Sequence, residues 1–432
     1  MKNKLLLIII FVNLIFANDQ IPGKKQVRAI AITNAKIFTV TNGIIENGTI
    51  LFEKGKIVSI GKNIELQKDI DIVDANGGFV YPGLISSLSQ VGMVEIQAVR
   101  ATVDLTEVGK FNPNVRAEIT LNPDSDLLPT VRANGILLAN VLPTGNIISG
   151  KSSVIMLDGW TQEDLILKSE TGMVLQWPQM RTVNMPWIHT TEEEQKKERE
   201  KSLKEINDFI SDAKAYKIAK EVKQNIKTDL KYESMINVLN KKTPLIVFAN
   251  DVLQIEAAVE FCENENLKMI LAGGKEAWQI GEKLKKKNIP VLIGQVYDTP
   301  NYEWENYNTV YTNSVKLFNA GVTIAIAAEG EAMSERNLPF QAGSTIPFGL
   351  SKEEALKSIT INPAEILGVS DKVGSLEIGK DATLFISDGD IFEIPTQINY
   401  AFIQGKKVDL ETKHTILHKK YVEKYRQLKI IK

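Results

Sequence analysis

Histidine is scarce and cysteine nearly absent: the 432 residues hold three histidines, His189, His414 and His418, and one cysteine, Cys262. A single cysteine excludes an intramolecular disulfide and any cluster of thiolate ligands. With Val259 and Phe261 nearby, Cys262 reads as a small core hydrophobe. An excess of charge of one sign is missing too. The formal net charge is −2, so no global field favours nucleic acid or an anionic membrane. A run of membrane-spanning length is also lacking near the N-terminus. The apolar stretch 5–16 is interrupted by Asn13 and falls short of the roughly 20 residues that cross a bilayer. Lys2 and Lys4 precede it and the small Ala17 follows it, which is the pattern of an export signal over 1–17. The mature chain is therefore expected to be secreted or periplasmic, with no membrane anchor after cleavage.

What is present suits a large folded core: 44% of residues are apolar and 24% charged, a balance that excludes a largely disordered chain. Residues 28–80 alternate short runs rich in Ile, Val and Thr with turns at Asn42-Gly43, Asn47-Gly48 and Lys54-Gly55. Similar runs return at 373–387 and 400–408. Short strands at this spacing predict a small β-domain, built from both ends of the chain (28–80 with 369–410). Between them, 244–248, 268–272 and 289–294 are apolar runs recurring about every 22 residues with helical stretches between, and 322–327 is a further one. Their unbroken apolarity fits strands buried on both faces. Residues 81–368 are thus expected to form a barrel of strand–helix units. Within it, 191–242 is a strongly charged helical insertion, either a cover over the barrel mouth or a solvated surface element. Residues 411–432 form a basic amphipathic helix.

Four segments together carry a family resemblance. They are 32–39, opening on Ile32-Thr33-Asn34-Ala35; 78–85, with Gly78, Pro82 and Gly83; 361–368, with Asn362-Pro363-Ala364; and 374–384, with Gly374-Ser375-Leu376 and Gly379-Lys380-Asp381-Ala382. In this order and spacing they resemble the amidohydrolases, most closely the imidazolonepropionase-like group. The resemblance implies an α/β fold, a (β/α)8 TIM-like barrel with a composite β-sandwich domain formed from both ends of the chain. It also implies hydrolysis of non-peptide C–N bonds by a metal held at the C-terminal ends of the barrel strands.

At those positions the family's ligands are missing. Aligned on Pro82-Gly83, Ser86 stands where the family has aspartate, and Leu88 and Gln90 stand where it has its first two histidines. Ala249 and Gly273 occupy the later histidine positions, and Glu329 replaces the aspartate after the eighth strand. Leucine offers no lone pair, and a glutamine carbonyl is a weak zinc ligand. No small shift of register recovers a histidine cluster. His414 and His418 have the i, i+4 spacing of a metal pair, but Lys413, Lys419 and Lys420 beside them oppose a cation. His189 reads as a loop residue.

Two readings follow. In the first the protein is non-catalytic, holds no cofactor, and binds a small amide or peptide-like ligand, or pairs with itself or an active paralogue. Ser89, Asn250 and Lys275 would then join the mouth residues, and Arg100 and Arg116 would form a contact surface or merely pair within their loops. In the second it hydrolyses a cyclic or linear amide with Glu329 or Asp251 as general base and Lys275 as electrophile. A zinc-type metal would enter only through an unconventional site. Asp251 also suits a helix cap.

Overall fold

The computed structural model describes residues 20–184, 187–222, 226–300, 302–328 and 331–431. The expected export signal lies outside them, as does Glu329. Among the described residues sixteen strands form two sheets. The first contains β1 (Ile30–Phe38), β2 (Ile44–Glu53), β3 (Lys56–Gly61), β4 (Asp71–Asp74) and β5 (Phe79–Pro82). From the other end of the chain it receives β14 (Leu384–Ser387), β15 (Ile398–Ile403) and β16 (Lys406–Val408). The junction is β14 running antiparallel to β5, with Leu384 opposite Pro82 and Ser387 opposite Phe79. Along the sheet the order is β16-β15-β14-β5-β1-β2-β3, with β4 joined to β1. In a flat sheet β15 and β2 would lie about 19 Å apart. Yet the Phe52 and Phe402 rings meet at 5.2 Å, so the sheet folds over its own apolar face. Ile32, Ile50, Ile57, Val80 and Leu384 fill the space between.

Gly83 carries the chain from this domain into the barrel. A Cβ there would stand 2.9 Å from the Leu137 Cβ, so only glycine admits the crossing. The barrel strands are β6 (Leu84–Ser89), β7 (Ile136–Val141), β8 (Ile148–Met156), β9 (Ile166–Gln176), β10 (Leu245–Ala249), β11 (Met269–Gly273), β12 (Val291–Ile293) and β13 (Ile324–Ile326). They pair in sequence order. From β9 to β13 all are parallel, whereas β8 runs antiparallel to both neighbours. The result is a TIM-like barrel that departs from a strict strand–helix repeat at one place. Its ends are joined through 358–359: Ile326 N–H donates to Ser358 O at 3.0 Å and Ile85 N–H to Ile359 O at 2.9 Å.

Val174, Ile246, Ile270, Ala272, Leu292 and Ala325 fill the barrel interior, as the continuous apolarity of these runs predicts. A second layer packs helices against the outer face, including Ala258, Val259 and Cys262 of the helix Val252–Asn264. Burial pushes the Cys262 thiol up to about 12, in keeping with a core hydrophobe. The charged insertion is a 30-residue helix, Glu192–Glu221, and a shorter one, Leu230–Leu239. Among the described residues no helix is long and apolar enough to cross a membrane.

Candidate functional site

The mouth of the barrel is formed by the loops that follow the C-terminal ends of the strands, where barrel proteins carry their chemistry. At the end of β6, Ser86, Ser87 and Ser89 are wholly buried. Two of their hydroxyls serve one carboxylate. Ser86 Oγ donates to Glu335 Oε2 at 2.7 Å, and Ser89 Oγ to Oε1 at 2.9 Å. The Gln90 N–H adds a third bond to Oε1, at 3.0 Å. Glu335 lies in the 3-10 helix Ala332–Asn337 that follows β13, so the loop after the last strand folds back onto the first. Burial pushes its carboxyl up to about 7 against the pull of the serine hydroxyls and the Gln90 and Val91 amides. Ser86 and Ser89 therefore do not line an open pocket as expected. Their hydroxyls are committed to an acid that the sequence did not single out.

At the other described positions that the resemblance assigns to metal ligands, the side chains form no donor set. Leu88 is 5% exposed and packs with Leu142, Val174 and Ala327 in the barrel's apolar interior. Ala249 ends β10 and is buried. Gly273 ends β11 at φ +84°, and a Cβ there would lie 2.4 Å from Asn250 Oδ1, so the exposed Asn250 covers the position. Gln90 is half-buried. Among the described residues no group of three or more His, Cys, Asp or Glu is placed to hold a metal ion. The described residues at these positions do not fit the family's metal. His189, His414 and His418 are exposed, the first in the segment between β9 and the helix Glu192–Glu221 and the last two on the helix Lys413–Gln427.

A charged cluster lies across the mouth, assembled from the loops after four consecutive strands, β9 to β12. Arg181 Nη2 is 3.2 Å from Glu276 Oε2 and its Nε is 3.7 Å from Asp251 Oδ1. Its Nη1 donates to the Tyr302 hydroxyl. Glu276 also accepts from the Val252 N–H at 2.9 Å. Asp251 caps the helix Val252–Asn264, its Oδ1 accepting from Gln254 N–H at 3.0 Å. Lys275 pairs with Asp298. The remaining predicted residues lie on the long loop after β6. Arg100 donates to its own loop at Val103 O, 2.8 Å away, and Arg116 is 4.0 Å from Glu118.

The amidohydrolase family model matches residues 187–418. The chain belongs to the amidohydrolase family. Over 395 residues this amidohydrolase is 25% identical to the imidazolonepropionase of Thermoplasma volcanium, taking in 84% of this chain and 89% of that one. With the imidazolonepropionase of Fusobacterium nucleatum it shares 24% over 367 residues, 80% of this chain and 86% of the other. A crystal structure of an amidohydrolase from Thermotoga maritima superposes with a TM-score of 0.79 at 28% identity, covering 88% of this chain and 99% of that one.

Proposed function

We propose that this amidohydrolase is an exported member of the family that lacks metal-dependent hydrolysis and uses the barrel mouth to bind a small amide or peptide-like ligand, alone or beside a catalytic paralogue. One observation supports the reading: of the residues that the sequence resemblance assigns to the family's ligand positions, Leu88 lies within the apolar interior, Ala249 is buried and Gly273 lies beneath Asn250. A metal-bound hydroxide needs several lone-pair donors converging on one ion, and these residues provide none. The export reading rests on the sequence of 1–17.

Hydrolysis with Asp251 as general base finds less support. One oxygen of that carboxylate caps a helix and the same oxygen faces Arg181, so it is already engaged in holding the local structure. The test is elemental analysis of the mature protein after equilibration with zinc and manganese, with an assay for opening of imidazolonepropionate alongside. Less than about a tenth of an equivalent of metal and no turnover are expected. A full equivalent of metal together with turnover abolished by a chelator would overturn the proposal.

A further inference from the structure

Two buried carboxylate oxygens at the mouth, Asp251 Oδ2 and Glu276 Oε1, make no hydrogen bond among the described residues, although the Tyr302 hydroxyl lies close to the Glu276 carboxylate. Asp251 is 7% exposed and Glu276 1%. Buried carboxylate oxygens ordinarily accept hydrogen bonds, because leaving one without a donor forfeits its hydration with no return. Here both belong to a pair that shares one guanidinium. Arg181 turns one edge to the two acids, Nε toward Asp251 and Nη2 toward Glu276. One positive charge facing two negative ones leaves the cluster short by a single cation. Lys275 does not supply it, being engaged with Asp298.

The surroundings are those of a site for an organic cation. Arg181 lies over the Tyr302 ring, 5.3 Å from its centroid. Tyr302 in turn stacks on Trp304, with centroids 5.4 Å apart and planes 9° from parallel. Trp304 is 72% exposed, a large aromatic face left in water in line with the stack. Aromatic faces attract cations and cover their carbon chains. The guanidinium already touching both acids disfavours a second metal-like point charge between them, whereas an ammonium brings three N–H donors on one atom.

We infer that Asp251 Oδ2 and Glu276 Oε1 receive the charged nitrogen of a primary alkylammonium ligand, whose carbon chain lies along the Tyr302–Trp304 stack. This rests on the reading of the mouth as a metal-free binding site and names what it binds. The same nitrogen occurs in a free amine and at the amino end of a peptide.

The test is isothermal titration of the metal-free mature protein at pH 7 with benzylammonium chloride, with glycylglycinamide, and with neutral benzyl alcohol. The two cationic probes separate a free amine from a peptide end. At least one is expected to bind about tenfold or more tightly than benzyl alcohol. Glu276→Gln and Asp251→Asn should each weaken that binding by about tenfold or more. Both variants preserve the fold by design. Asparagine remains a good helix cap, glutamine still offers an oxygen to the Val252 N–H, and a thermal melt verifies it. Benzyl alcohol binding as well as the cations, affinity unchanged in both variants, or no binding of either cation would each overturn the site. Zinc chloride binding with loss in Glu276→Gln would overturn it in favour of a metal. A failed titration of metal-free protein removes the ammonium site alone, whereas resident metal with turnover, seen by elemental analysis, removes the reading beneath it.

Discussion

Glu335 is a carboxyl group kept inside the protein with its proton close to neutral pH. Its ordinary value is near 4.5, and burial pushes it up to about 7. Because the folded value is the higher one, the folded state holds the proton where the unfolded chain has lost it. The stability this gives is fully present below about pH 4.5 and drains away as pH rises through about 7. A shift of that size corresponds to about 3 kcal/mol. Urea unfolding of wild type should therefore show a loss of that order between pH 5 and 8. Glu335→Gln, which keeps the shape and removes the ionisation, should flatten that part of the profile and be the more stable protein at pH 8. Parallel profiles for the two proteins would refute it. At this scale the sequence was only half legible. Ser86, Ser89 and Gln90 could be placed at the mouth from Pro82-Gly83. Their partner could not, because the acid was sought directly after the strand, at Glu329, and Glu335 follows a turn later in a 3-10 helix. The visible trace is three serines, Ser86, Ser87 and Ser89, on one short buried strand: hydroxyls buried there need acceptors from elsewhere in the chain, and two of them find Glu335.

Among the elements, the helix Glu192–Glu221 shows what charge patterning conceals. Thr191 and Glu194 form a reciprocal cap at its start. Ile206, Phe209, Ile210 and Ala213 then turn one face inward at three- and four-residue steps. That face belongs to the apolar cluster that also holds Met173 and Leu175 of β9 and Ile148 of β8, so the helix is part of the layer outside the barrel. Its first turns reach the mouth only at the edge, where Arg199 donates to Met180 O at 2.7 Å and Gln195 to Val183 O at 2.9 Å. Phe209 stacks on Phe111 at 4.6 Å and so anchors the long loop that follows β6. Phe209→Ala should cost about 3 kcal/mol in denaturant unfolding and open the loop near Phe111 to limited proteolysis. A loss under about 1 kcal/mol, or an unchanged cleavage pattern, would show that the stack holds nothing. The parallel strands β10 to β12 were readable because strand and helix recur at even spacing. The run β7, β8 and β9 was not. It turns back on itself with only the short helix Gln162–Leu165 between β8 and β9, and a search for strand–helix units passes over it.

For the whole molecule the question is whether the β-domain and the barrel unfold together. The chain passes between them at Gly83 and again before β14, and the last strands of the chain complete a sheet begun by the first. A buried ion pair strengthens this coupling. Arg132 Nη1 meets Asp158 Oδ1 at 2.9 Å with both side chains almost wholly out of water. The same guanidinium donates to Asp409 O beyond β16, at 3.0 Å, and to Leu157 O. Asp158 also accepts from the Gly23 N–H at 2.9 Å. The pair thus joins the barrel helix Leu127–Arg132, the loop after β8, and both ends of the chain. Burial lowers the Arg132 pKa from its ordinary value and Asp158 opposes that effect. Asp158→Asn keeps the shape but leaves the guanidinium in the interior without its counter-charge, a change that costs about 3–5 kcal/mol in buried pairs. If the two domains are one cooperative unit, calorimetry of wild type gives a single peak and Asp158→Asn moves that entire peak down. If the pair acts only within the barrel, the variant splits the transition, with the β-domain melting where it did before. The single shifted peak is expected, because a sheet whose two halves enter from opposite ends of the barrel loses its register as soon as the barrel between them opens.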